Sequence, residues 1–207
     1  MFEIKTIPVG MAQSNCYILS NGTNALIVDP GDQAQLIKRT ITDLNVEPQA
    51  ILLTHTHYDH IGAVEAMREE YEIPLYVSIE EKDWLTDPNK NLSSLVGNPM
   101  RLKEAETYFH PTEDVQISNF SFKVVPTPGH SPGGVSFVFA EDKFVVTGDA
   151  LFAGSIGRTD FPGSNHSQLL SGIREQLFTL PDNYTIYPGH MGSSTIGQEK
   201  ITNPFFI

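Results

Sequence analysis

The sequence predicts an α/β fold in which two β-sheets pack face to face with helices outside. Three observations carry that prediction. Strand-like apolar runs come in two blocks, 2–28 and 120–146, and helical periodicities follow each block, the order that layered sheets and helices require. The chain has 207 residues, enough for one sizeable core and a single domain over 1–207. Hydrophobic residues make up 40% and charged residues 18%, the proportions of an ordinary globular protein.

Residues 2–7, 15–20 and 24–28 read as three strands joined by short turns, stopped by Asp29-Pro30-Gly31-Asp32. A helix follows, with Asp32 as its N-cap and Leu36, Ile37, Ile41 and Leu44 as its apolar face. Residues 49–54 form a strand too apolar to alternate, as expected when both faces are covered. Residues 61–70 are the next helix, 74–77 a strand, and 79–85 a short helix holding the single tryptophan, Trp84. Residues 86–119 are a loop-rich excursion broken by Asp87-Pro88, Gly97-Asn98-Pro99 and His110-Pro111. Met100, Leu102, Tyr108 and Phe109 within it either line a substrate mouth or pack beneath the loop. Strands at 120–125, 134–139 and 143–146 form the second block. A helix at 167–178 follows, capped by Ser164 or Asn165, with Leu169, Leu170, Ile173 and Leu177 facing inward. The last core strand is 184–187.

The formal net charge of −12 argues against nucleic acid and against an anionic membrane surface, both of which demand Lys and Arg. One cysteine, Cys16, excludes an internal disulfide and reads as a small buried apolar residue. The N-terminus alternates like a strand and has no apolar h-region, so a cytoplasmic location is expected.

Chemistry concentrates in Thr54-His55-Thr56-His57-Tyr58-Asp59-His60, directly after the apolar run 50–53. Three imidazoles and a carboxylate in six residues are the donors that Zn²⁺ and Fe²⁺ prefer. Three further strand-like runs end in a ligand-capable group: 122–125 runs on to His130, 144–146 to Asp149 and 184–187 to His190. Open α/β sheets place their sites at such carboxyl ends, and Gly129, Gly148 and Gly189 allow the tight turn before each group.

These motifs resemble those of the metallo-β-lactamase-fold hydrolases, over nearly the whole chain from Val28-Asp29-Pro30-Gly31 to Asn203-Pro204-Phe205. Within them the chain is most similar to the glyoxalase II-like (hydroxyacylglutathione hydrolase-like) group, by the stretch Phe152-Ala153-Gly154-Ser155-Ile156-Gly157-Arg158-Thr159-Asp160-Phe161 after Asp149. The resemblance implies an αββα four-layer sandwich of two mixed sheets flanked by helices. It implies two divalent metal ions, zinc first, with iron or manganese as alternatives. It assigns His55, His57 and His130 to one metal, Asp59, His60 and His190 to the other, and Asp149 to both. His110 and His166 have no counterpart and read as surface or capping residues.

The implied activity is hydrolysis of a small-thiol thioester by a metal-held hydroxide, with Asp59 also orienting the hydroxide. The leaving thiol, with a pKa of about 8.5, departs as thiolate with little help from an acid. Glyoxalase II proteins carry a C-terminal helical extension that helps hold glutathione. No counterpart follows His190, which leaves the identity of the thiol open. Arg158 has two readings, contact with a substrate carboxylate or an ion pair with Asp160. The alternative activity is a mononuclear-iron persulfide dioxygenase, whose iron ligands match His55, His130 and Asp149. A lactonase or β-lactamase comes third, disfavoured because Asp149 stands where several β-lactamases carry cysteine. A non-catalytic binding module comes last. Oligomeric state is not legible.

Overall fold

The computed structural model of the protein describes residues 2–110 and 112–207; Pro111, read above as a breaker, lies outside them. Two compact units are present, one of Met1–Phe109 with Gln116–Phe120, the other of His110–Val115 with Ser121–Ile207.

The first unit opens with β1 (Phe2–Val9), β2 (Ser14–Asn21) and β3 (Asn24–Val28), an antiparallel meander. Helix α1 (Ala34–Leu44) leads to β4 (Glu47–Leu52), which runs parallel to β3. Two short helices, α2 (Tyr58–Ile61) and α3 (Val64–Tyr71), precede β5 (Leu75–Ser78). β5 lies parallel to β4, and β6 (Thr107–Phe109) parallel to β5. The sheet order is therefore sequential from β1 to β6, half meander and half crossover. Ile18, Ile27, Ile51 and Val77 from the strands share one apolar core with Ile37 and Ile41 of α1 and Val64 and Met67 of α3. Each such side chain contributes about 1.5–3 kcal/mol by leaving water.

Five expectations change here. Asp32 does not cap α1. Gln33 takes that position in the left-handed region (φ 52°) without a capping side chain, and the Asp32 carboxylate accepts the Gln33 N–H instead. Leu36 is 42% exposed, so the buried face of α1 is Ile37 and Ile41. The strand at 49–54 starts at Glu47, whose N–H reaches Thr23 O, and is over by Thr54, whose N–H turns to the Asp29 carboxylate. The helix expected at 61–70 is broken at Gly62-Ala63, because the Ala63 N–H bonds Pro30 O. A methyl on Gly62 would stand 2.3 Å from Gly31 O, so two backbones touch there. The short helix expected at 79–85 is confined to a single 3₁₀ turn, Ile79–Glu81, with turns after it.

In the excursion, Leu102 and Phe109 are buried, so they pack beneath the loop, while Met100 is only partly covered.

The second sheet is built from β7 (Asp114–Ile117), β8 (Phe120–Pro126), β9 (Val135–Phe139) and β10 (Phe144–Gly148). A small hairpin follows, β11 (Leu151–Phe152) with β12 (Ser155–Ile156). Helix α4 (His166–Gly172) is capped by Asn165, whose side chain accepts the Gln168 N–H. It widens over Ile173–Leu177, where the Phe178 N–H reaches back five residues to Ile173 O. β13 (Thr185–Pro188) joins β10 in parallel, and β14 (Ser194–Thr195) leads into α5 (Ile196–Thr202). The order is β14-β13-β10-β9-β8-β7, again a mixed sheet. Val138, Val145 and Ile186 of the strands pack with Leu169, Ile173 and Leu177, the predicted inner face of the α4 segment. β11, β12, β14 and α5 were not read from the sequence. The first three are two residues long, and α5 spans two turns. Among the described residues no helix is long and apolar enough to cross a membrane.

Candidate metal centre

In the first unit the ligand-rich stretch leaves β4 as extended chain and enters α2. His55 and His57 precede the helix, and Asp59 and His60 lie on it. The His55 ring stands 4.7 Å from His57 and 4.2 Å from His60, centroid to centroid. His60 Nε2 lies 3.7 Å from Asp59 Oδ2. The three imidazoles are buried, whereas the Asp59 carboxylate is partly open.

Two buried carboxylates hold this stretch. Asp29 accepts from Thr54 N–H at 2.8 Å and Thr54 hydroxyl at 2.6 Å, and meets His60 Nδ1 at 3.0 Å. A carboxylate only accepts, so His60 Nδ1 carries the proton and Nε2 is the nitrogen that could ligate a metal. Asp29 itself sits at φ 48°, a left-handed conformation that aspartate tolerates better than most residues. Glu81 accepts both the Thr56 N–H and the Thr56 hydroxyl, at 2.8 and 2.7 Å. The Asp59 carbonyl takes a hydrogen bond from Ser14 Oγ at 2.6 Å. Gly31 lets the Asp29 turn approach that carbonyl, since a methyl there would stand 1.7 Å from Asp59 O. His55 and His60 with Asp29 offer ligand atoms within 4.8 Å of one another.

In the second unit His130 follows β8, Asp149 follows β10 and His190 follows β13. His130 Nε2 is 3.4 Å and His190 Nε2 is 3.5 Å from Asp149 Oδ2, so one carboxylate gathers both imidazoles. His130 Nδ1 donates to the Arg158 carbonyl at 2.8 Å, which again leaves Nε2 for ligation. Gly157 packs against the Asp149 backbone, with 1.9 Å between an added methyl and Asp149 O.

The Arg158 side chain forks onto the Asp160 carboxylate with two bonds of 2.7 Å and lies 4.3 Å above the Phe161 ring. Arg158 acts on this unit through its main chain, and its guanidinium shapes its own loop. His166 Nδ1 meets Thr159 Oγ1 at 3.2 Å and opens α4, and His110 is exposed. Cys16 is fully buried on β2, its thiol pKa pushed up by burial and then by the Asp29 charge.

Sequence reasoning missed Asp29, Glu81 and the Arg158 carbonyl. Asp29 reads only as a turn residue, and Glu81, in Ile79-Glu80-Glu81-Lys82, reads as a solvated charge. The donor set of imidazole nitrogen and carboxylate oxygen suits zinc, iron or manganese, and the Nδ1 atoms of His60 and His130, each fixed by an acceptor, show the arrangement metal-binding histidines use.

Comparison with known proteins agrees. Residues 9–190 match the model of the metallo-beta-lactamase superfamily. A probable metallo-hydrolase of Streptococcus pyogenes is 48% identical over 201 residues, 95% of this chain and 87% of that one. The hydroxyacylglutathione hydrolase GloC of Haemophilus influenzae is 36% identical over 206 residues, 98% of this chain and 97% of that one. Among solved structures, BLEG-1, a B3 metallo-beta-lactamase, superposes with a TM-score of 0.96 at 42% identity, covering 99% of each chain. TTHA1623, in a di-iron-bound form, gives a TM-score of 0.88 at 32% identity over 97% of this chain and 99% of that one. With two mixed sheets bearing helices, and histidines and aspartates gathered at their strand ends, the chain belongs to the metallo-β-lactamase superfamily as a metallo-hydrolase.

Proposed function

We propose that the protein hydrolyses the thioester of a small thiol, using two divalent metals and the ligand set His55, His57, Asp59, His60, His130, Asp149 and His190 that the family pattern assigns. The observation that carries this reading is the relation to a hydroxyacylglutathione hydrolase aligned over 97% of that protein's length. A relative named for glutathione thioesters matches this chain over almost its whole length, so glutathione stands again as a candidate thiol.

The metals would supply a deprotonated water near neutral pH and polarise the thioester carbonyl. The chain's own groups do the rest. Asp59 presents a partly open carboxylate that accepts a hydrogen bond from the attacking water and orients it, while Ser14 fixes its backbone. The Tyr58 phenol is held above its ordinary pKa by burial first and by the Asp59 charge second, so it stays a neutral O–H beside that carboxylate. Expulsion of a thiolate requires no further acid.

A second reading, β-lactam hydrolysis, is favoured by the likeness to a B3 metallo-beta-lactamase. Metal content per chain, by element, followed by turnover of S-lactoylglutathione and of a chromogenic cephalosporin, separates the two. Two metals and thioester turnover at least a hundredfold above cephalosporin turnover support the proposal. The reverse order supports the lactamase. One iron per chain with persulfide-dependent oxygen uptake overturns both.

A further inference from the structure

The first unit holds a cleft of about 620 Å³ whose lining includes Asp59, within the range of small-molecule sites. Its walls are Met11, Tyr58, Val96, Asn98 and Met100. Glycines 10, 31 and 62 and Ala12 add to the lining and make its room by bringing little or no side chain. The walls are held in place. Met11 is fully exposed at the tip of the β1–β2 turn, yet that turn is tied by Gly10 N–H to Gln33 Oε1 at 3.2 Å and by Gln13 Nε2 to Gly10 O at 2.7 Å. The segment bearing Val96, half-exposed, and Met100 is closed by Ser93 Oγ accepting the Met100 N–H at 2.8 Å and by buried Asn91 donating to Met100 O at 3.1 Å. Two methionines and a valine facing open space above a fixed frame make an adaptable apolar surface.

The charge of the cleft narrows its occupant. Its lining carries two carboxylates, Asp32 and Asp59, and no lysine, arginine or histidine. A carboxylate-bearing thiol carrier placed at the Asp32 side of the cleft would meet a like charge with no lysine or arginine in the lining to pair it. A neutral chain meets no such obstacle and removes apolar surface from water on both sides.

We propose that this cleft is an acyl-chain subsite. It takes the uncharged, unbranched acyl group of the thioester and makes Met11, Val96 and Met100 determinants of chain-length specificity. The inference rests on the thioester reading above and adds the substrate class, medium-length neutral acyl groups in preference to acetyl or dicarboxylic ones.

The test uses metal-loaded full-length protein and thioesters of one neutral thiol, N-acetylcysteamine, bearing acetyl, butanoyl, hexanoyl, succinyl or 6-aminohexanoyl groups. Burial of a methylene is worth about fourfold, so kcat/KM rises on the order of a hundredfold from acetyl to hexanoyl. Succinyl falls at least tenfold below butanoyl. Val96→Asp lowers the hexanoyl-to-acetyl ratio at least tenfold. Calorimetry with inert ketone analogues, in which CH₂ replaces the thioester sulfur, shows the same chain-length order without turnover. A flat profile in both experiments, faster succinyl than butanoyl, or 6-aminohexanoyl above hexanoyl overturns the acyl-subsite inference. If no thioester is hydrolysed but the ketones keep their order and Val96→Asp abolishes it, the apolar subsite stands and the thioester reading falls.

Discussion

Replacing Asp29 by asparagine leaves the shape of the ligand stretch intact while changing one proton. The Asp29 carboxylate accepts three times, from Thr54 N–H, Thr54 hydroxyl and His60 Nδ1. In Asp29→Asn the amide oxygen still takes the Thr54 N–H at 2.8 Å, and the Thr54 hydroxyl can reverse to accept. The amide NH₂ then faces His60 Nδ1 across 3.0 Å as a second donor. The ring resolves this by moving its proton to Nε2, the nitrogen it offers as ligand, and metal binding must first undo that shift. The predicted loss is 10–100-fold in affinity for one metal, with about 1–2 kcal/mol of stability as charge-assisted bonds become neutral ones. Asp29→Ala removes all three acceptor contacts inside the core and costs about 3–5 kcal/mol, which lowers Tm by roughly 10 °C in a chain of this size. Chelator competition measures the affinity, and long-range ¹H–¹⁵N spectra of the metal-free protein read the tautomer directly. An Asp29→Asn protein that keeps the Nδ1–H tautomer of His60 and binds metal within twofold of wild type would refute the reasoning.

Further outcomes follow from single contacts. Gly157→Ala and Gly154→Ala differ in what the new methyl meets, Asp149 O at 1.9 Å in the first and nothing within 4 Å in the second. The first loses more than about 3 kcal/mol and the second about 1 kcal/mol, the latter from its left-handed φ alone, as urea titration will show. Asp160 is held down to about 2 by the hydrogen bonds from Arg158, so its contribution is present above the unfolded carboxylate value and lost as pH falls through about 2. In Arg158→Ala a carboxyl NMR titration finds Asp160 back near about 3.9, with KM for thioester unchanged. Because Trp84 is the sole tryptophan and lies 6.1 Å from the His57 ring, metal titration changes its emission in step with occupancy, and Trp84→Phe removes the signal.

Much of the frame was legible because periodicity reports one-sided burial. The strands at 24–28 and the inner face Leu169, Ile173 and Leu177 emerge as read. The candidate ligands stand out in the sequence because their side-chain chemistry is concentrated at strand ends. What escaped is what chain neighbours do not encode. The break at Gly62-Ala63 is caused by Pro30, more than thirty residues earlier. Glu81 looks solvated in sequence and is fully buried, because its partner is the Thr56 backbone twenty-five positions away. The sequence signal of Arg158 is its guanidinium, while its carbonyl holds His130. Contacts through main-chain atoms leave no residue-type signature, so no motif reports them.

Cys16 sits on β2 between β1 and β3, fully covered and paired in register with Ile7. Its thiol is the only one in the chain, and burial keeps it protonated at neutral pH. An alkylating reagent therefore reaches it only when the first sheet opens, and the labelling rate counts those openings without any introduced probe. The residue that does no chemistry in the folded protein is a built-in clock for how often that sheet lets go.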